Sequence, residues 1–248
     1  MSARTDKNSY TIIFAIGMVL LVGALLAFAS SSLKPNIDEN KRLEKQQNIL
    51  YAMGVNENDE SSANFVSTED APELFNKYIK KQIVIEGDKV SEDENAYLID
   101  IKKEQASAKA GNIRKLPLFV GEKDGKTYYI APIYGKGLWD AIWAYVALDE
   151  NMVVQGAYFD HKGETPGLGA NITQRYFMDD FIGEHLKSQG KFVGIDVAKG
   201  NADPKNEDKT DNEVDAIAGA TITGNGVSAM IKSDLKLYVP YFENLKND

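Results

Sequence analysis

Thr11 to Ala29 carries no charged side chain, and at about 1.5 Å per residue a helix of that length matches the roughly 30 Å hydrocarbon core of a bilayer. A secretory signal is the competing reading, because Arg4 and Lys7 make a basic start and Ala27-Phe28-Ala29 a small-residue cleavage pattern. The run is longer than the roughly 7–15 residues of a signal core, so the expectation is a retained single-pass anchor over residues 11–29. Local charge does not orient it, since Arg4 and Lys7 precede the run while Lys34, Lys41, Arg42 and Lys45 follow it.

Lys34-Pro35-Asn36 is expected to break that helix, dividing the chain into an anchor, 1–36, and a soluble domain, 37–248. A hydrophobic content of 43% is enough for a packed core in the second part. The net charge of −9 argues against a nucleic-acid partner, whose phosphates need a basic face. The absence of cysteine removes disulfides, iron–sulfur clusters and thiolate zinc sites together. His161 and His185 lack ligand spacing, and no phosphate-binding lysine loop of the GxxxxGK type or Ser-His-Asp arrangement can be read.

Past the anchor, helical character is expected from Ile37 to Met53 with Gly54 as its stop, then a polar linker from Asn56 to Ala63 and a short helix from Asp70 to Lys81. Gly87 to Asn112 reads as one exposed strand plus loops. Leu116–Val120 and Thr127–Tyr134 flank an Asp124-Gly125 turn, and Ala141–Leu148 and Met152–Phe159 flank Asp149-Glu150-Asn151, so two hairpins are expected. A helix over Ile172–Leu186, with His185 late in it, and a short strand over Phe192–Val197 follow. Hairpins with segregated helices predict an α+β fold with largely antiparallel or mixed sheets.

Asp215-Ala216-Ile217-Ala218-Gly219-Ala220-Thr221-Ile222-Thr223-Gly224-Asn225-Gly226-Val227 sets small residues and hydroxyls ahead of Val227, Met230, Ile231 and Leu235, which share a helix face. A hydroxyl-bearing turn therefore opens a helix, whose free N–H groups and positive dipole end suit a phosphate. In an arbitrary chain the same string would be an ordinary Thr/Gly cap. Glu164-Thr165-Pro166-Gly167-Leu168-Gly169 would likewise be a plain Pro-Gly turn, the acidic stretch from Asn201 to Asp215 a solvated loop, and Trp139 a core residue.

The run Gly219-Ala220-Thr221, with Asp215 ahead and Thr223-Gly224-Asn225-Gly226-Val227 behind, resembles the flavinylation motif of FMN-binding subunits in membrane redox complexes. Ala218 stands where that motif usually has Ser or Thr. With Gly135-Lys136-Gly137-Leu138-Trp139, His161 to Gly169 and the N-terminal span, the chain resembles the family formed by the C subunit of the sodium-translocating NADH:quinone oxidoreductase. Residues from about 55 to 112 are the least matched. The resemblance implies FMN esterified through its phosphate to Thr221, with Asp215, Gly219, Ala220 and Thr223 around the acceptor. Thr223 would point the same way as Thr221 if the segment were extended. It further implies Gly137, Leu138 and Trp139 beside the ring, Glu164 or Thr165 at its edge, Gly167 giving backbone access and Leu168 packing on it. Lys199, before Gly200, is either a lysine reaching the pyrimidine side or a solvated loop residue. A flavin transferase for maturation, the other subunits of a membrane redox complex as partners, and a periplasmic domain at the bacterial inner membrane are implied too. Two alternatives remain open: the homologous FMN subunit of a ferredoxin:NAD-oxidising membrane complex, and a flavin-free scaffold subunit. Overall length and the insertion around 87–112 favour the first reading over the ferredoxin-linked one.

Overall fold

The computed structural model describes residues 8–59, 62–200, 203 and 206–246. Arg4, Lys7 and parts of the expected linker and acidic loop lie outside them. The chain divides into two units, Met1–Arg42 and Leu43–Asp248.

Helix α1, Asn8–Ala52, begins in the first unit. It is long and apolar enough to cross a membrane, with a mean hydropathy of 2.8 in its most apolar window and no burial there. The expected break at Lys34-Pro35-Asn36 does not occur, because Pro35 lies inside the helix. A proline there removes one donor and strains the turn before it. The carbonyl it frees, on the exposed Ser31, is open to water, and the Lys34–Asp38 ion pair at 2.9 Å and the Glu39–Arg42 pair brace the turn around it.

In the second unit the end of α1 is buried from Asn48 to Ala52. Gly54, at φ +75°, stops it as expected. Its N–H donates to the Tyr51 carbonyl and that of Val55 to the Leu50 carbonyl, the paired bonds of a Schellman ending.

Six antiparallel strands form the main sheet in the spatial order β2 (Lys89–Glu92), β1 (Ile79–Glu86), β3 (Lys115–Lys123), β4 (Lys126–Lys136), β5 (Ala141–Leu148), β6 (Val154–His161). The helix expected to Lys81 is shortened to α2, Ala71–Tyr78, and Ile79 opens β1, Ile79–Glu86. Pairing with β3, from Ile79 opposite Gly121 to Glu86 opposite Lys115, decides the matter. The exposed strand β2, Lys89–Glu92, is present, but a helix, α3 at Ile101–Lys109, replaces the expected loops. Asp100 starts it by accepting from the Lys103 N–H at 3.2 Å.

Both expected hairpins form: β3, Lys115–Lys123, with β4, Lys126–Lys136, and β5, Ala141–Leu148, with β6, Val154–His161. Asp124 and Gly125 both have positive φ, as the tight turn of the first requires.

The expected helix over 172–186 is replaced by a 3-10 turn, Gly169–Thr173, and the short α4, Arg175–Asp180. Phe177 and Phe181 do turn inward, onto Phe159, with ring centroids 5.6 and 4.8 Å from it. The chain beyond them bonds instead along the start of β6, through Gly183 N–H to the Val154 carbonyl and Leu186 N–H to the Met152 carbonyl. His185 consequently sits in a β-bridge to Val153 rather than in a helix. The strand expected over 192–197 is two fragments: β8, Lys191–Phe192, in a hairpin with β7, Lys187–Ser188, and β9, Asp196–Val197, parallel to β10, Glu213–Val214.

Helix α5, Thr221–Asp234, carries Val227, Met230 and Ile231 inward, and Leu235 is buried just beyond. A 3-10 turn, Leu235–Tyr238, and α6, Val239–Leu245, follow it. Strand register places α5 and the end of α1 on opposite faces of the sheet. Gly121 and Gly156, which lie against Met53 and the Ala52 carbonyl, share one face, while Gly135, which lies against Met230, points to the other.

Candidate functional site

The β4–β5 connection and the end of β6 lie at the same end of the sheet, because Lys136 pairs with Ala141 and Ile142 with His161. The connection closes on itself through Gly137 N–H to the Asp140 carbonyl at 2.9 Å. Beyond β6, Leu168 N–H donates to the Thr165 carbonyl around Pro166 and Gly167, whose φ of +77° is that of a type II turn. The third component is the start of α5. Gly226 allows it to lie on the backbone at Lys136, where a Cβ would collide with the carbonyl.

These segments meet on Glu164, which is only 5% exposed. Its Oε1 accepts from the N–H groups of Trp139 at 2.9 Å and Asp140 at 3.4 Å, and its Oε2 accepts from the Thr223 hydroxyl at 2.7 Å. Burial pushes its pKa up, but the Thr223 hydroxyl and the backbone N–H groups outweigh burial and hold it below the ordinary glutamate value. The carboxylate is therefore ionised. Gly137 and Gly169 make room for it, since a Cβ on either would come within 2.5 Å of a carboxylate oxygen.

Leu138, Glu164, Thr165, Leu168, Gly169, Gly219, Ala220, Thr221, Ile222 and Thr223 line a cavity of about 260 Å³. That is slightly below the usual ligand-site range of about 300–1,000 Å³. Leu138, Leu168 and Ile222 present exposed apolar surface there, and Trp139, 67% exposed, donates its indole N–H to the Thr165 hydroxyl at 3.2 Å.

Among the described residues no side chain caps α5, whose N-cap is Ala220, so the ordinary Thr/Gly cap is not what the segment forms. Its first-turn donors remain directed to the end where Thr221 stands. Thr221 is exposed, whereas Thr223 is 1% exposed and bonded to Glu164. The two hydroxyls do not point the same way, because the segment is helical and not extended.

Thus the structure brings Leu138, Glu164, Thr165, Leu168, Gly219, Ala220, Thr221 and Thr223 to one cavity, with Gly137 and Trp139 immediately behind or beside it. Gly167, Lys199 and Asp215 do not line it. Lys199 is exposed, and the Asp215 carboxyl is pushed up by burial and by Asp203. Gly169 and Ile222 are lining residues that sequence reasoning leaves out of the site. Both stand inside its motifs, next to Leu168 and Thr221.

An exposed hydroxyl at an uncapped helix start, beside a shallow aliphatic cavity, suits a phosphate-bearing, flat-ringed group. A family profile described as "FMN-binding domain" matches residues 137–236, a span that takes in all three segments, and the fold and site define that class. The C subunit of the Na(+)-translocating NADH-quinone reductase of Vibrio alginolyticus is 30% identical over 244 residues, covering 92% of this chain and 90% of that protein. Its counterpart in Vibrio anguillarum is 29% identical over 245 residues, with 92% and 90% covered. Among solved structures, the C subunit of the reductase from Parabacteroides distasonis superposes with a TM-score of 0.71 at 32% identity, covering 85% of this chain and 96% of that one. Shewanella oneidensis NqrC gives 0.68 at 28%, with 84% and 99% covered. The chain belongs to the NqrC family, the C subunits of the Na(+)-translocating NADH-quinone reductase.

Proposed function

We propose that this chain is a membrane-anchored electron-transfer flavoprotein with FMN held as a phosphoester on Thr221, within an enzyme that moves electrons from NADH to quinone and translocates sodium. The flavin supplies the redox chemistry; the chain holds and tunes it, and catalysis belongs to the whole complex. The observation that carries the reading is the contrast between Thr221, exposed at the open start of α5, and Thr223, buried on Glu164. The first-turn N–H groups of α5 would face the phosphate. Gly219 and Ala220 would give access to the acceptor. Leu138, Leu168 and Trp139 would cover the ring, Thr165 would bond its edge, and Gly137 and Gly167 would shape the loops. In this reading Asp215 serves recognition by the flavin transferase and Lys199 reaches in from its own loop.

A threonine hydroxyl without a neighbouring base is a poor nucleophile, so attachment requires that transferase, with FAD as donor and a metal ion to stabilise the departing AMP. Residues 11–29 hold the bilayer, 1–36 acting as anchor and 37–248 as the domain on its periplasmic side, in contact with the other subunits. Expression without the transferase should give a folded, colourless protein, and co-expression a yellow one whose denatured band fluoresces. A flavin peptide with its adduct on Thr223, or a protein from its own membrane without the flavin mass, overturns the assignment.

A further inference from the structure

Glu164, Glu184 and Asp234 are buried carboxylates. Asp234 is matched by the Arg114 guanidinium at 2.9 Å, and Glu184 belongs to the acidic region beside Asn206. Glu164 shares neutral donors with Glu184 but differs from both in its place beside the cavity. The donors that reach its oxygens, two backbone N–H groups and the Thr223 hydroxyl, are neutral, and it borders the cavity that Thr221 also lines. An ionised carboxylate so placed keeps its full negative charge, with little water to screen it.

We propose that Glu164 is a positioning residue: it assembles the cavity by tying the 137–140 loop and the first turn of α5 to its own segment, and its fixed, uncompensated charge holds down the reduction potential of the cofactor. The second half rests on FMN occupying the cavity. Adding an electron beside a buried anion is opposed by its field, whereas a merely structural carboxylate would not select one redox state over the other. Oε1 accepts two N–H groups and Oε2 one hydroxyl, so Oε2 keeps an acceptor site for a donor on the flavin edge, the role its motif implies, alongside its electrostatic one.

The test uses the full chain co-expressed with the transferase, titrated spectroelectrochemically as the parent, Glu164→Gln and Thr223→Val. Gln keeps the size and removes the charge, and should raise the ratio of reduced to oxidised flavin about tenfold at a given potential, which is about 59 mV for a one-electron couple. Thr223→Val removes a donor but leaves the charge, and should move the couple the other way by less. A Gln variant that titrates with the parent, or both variants shifting upward together, overturns the electrostatic role. The same chain expressed without transferase supplies a flavin-free measurement: Glu164→Ala should speed hydrogen exchange of the Trp139 and Asp140 amides at least tenfold, and unchanged exchange overturns the assembling role. If Glu164→Gln does not load flavin, the sign of the Thr223→Val shift decides, an upward or absent shift counting against the field. Should the parent itself carry no flavin, the functional reading fails and the exchange result still stands or falls alone.

Discussion

The two ends of α5 are built on opposite plans. At its last residue, Asp234 is 3% exposed at the side chain and receives both guanidinium N–H groups of Arg114 at 2.9 Å, the Gln105 amide and the Tyr134 N–H. At its first residue no side chain among the described residues caps the helix, and Thr221 is exposed. A buried carboxylate serves each end, but the donors on the one at the start, among the described residues, are neutral. The closed end gives α5 a fixed seat on β4, so that the open end can leave its donors to a ligand. On the function proposed above, stability and cofactor attachment fall to opposite ends of one fourteen-residue helix.

That division can be broken from the closed end first. Arg114→Ala leaves Asp234 buried without its cation and should destabilise the domain by about 3–5 kcal/mol in denaturant unfolding, without changing where the flavin attaches. Thr223→Val should cost less, about 1.5–3 kcal/mol, by leaving Glu164 Oε2 without its hydroxyl donor, and flavin attachment should persist. A third perturbation lies upstream of the open end. Burial pushes Glu184 up to about 7, against the opposing Asn206 hydrogen bond, and Asp180 up to about 6. Acids whose pKa is higher folded than unfolded contribute most below the unfolded value, and that contribution is lost as pH rises through the folded one. Stability should thus fall by roughly 1–3 kcal/mol between about pH 4.5 and 7, Glu184→Gln should flatten the profile, and hydrogen exchange should localise the loosening to 180–215. Thr221→Val should have the smallest effect on stability, within about 0.5 kcal/mol for an exposed site, and should abolish covalent attachment. A large stability loss there would dissolve the contrast between the ends.

Sequence is most legible where local chemistry and tertiary structure agree. Asp124-Gly125 demands a two-residue turn, and Val227, Met230 and Ile231 can share a buried side only as a helix. It misleads where the same residues satisfy two geometries. Leu74, Phe75, Tyr78 and Ile79 fit a helix face, yet β3 offers Ile79 a strand partner, a choice made about forty residues away. Phe177 and Phe181 face Phe159 from a single helical turn, and Gly183, at φ +89°, ends any continuation. The cavity-lining residues are largely legible because they occupy motifs. The role of Glu164 is not, because its partners, Trp139, Asp140 and Thr223, come from two distant segments and nothing in its own neighbourhood announces them.

The crowding around the Glu164 carboxylate has a consequence for how this chain can change over generations. Gly137 and Gly169 are each occupied, where a methyl would go, by its oxygens, and at Gly169 by the Thr223 hydroxyl as well. The fitness effect of an alanine at Gly137 is therefore conditional on position 164, harmful while glutamate stands there and less so once a shorter side chain has replaced it, whereas at Gly169 it depends on Thr223 as well. Single-site scans would score three independent constraints. Pairwise scans should reveal epistasis, with position 164 coupled to both glycines and position 223 to the second.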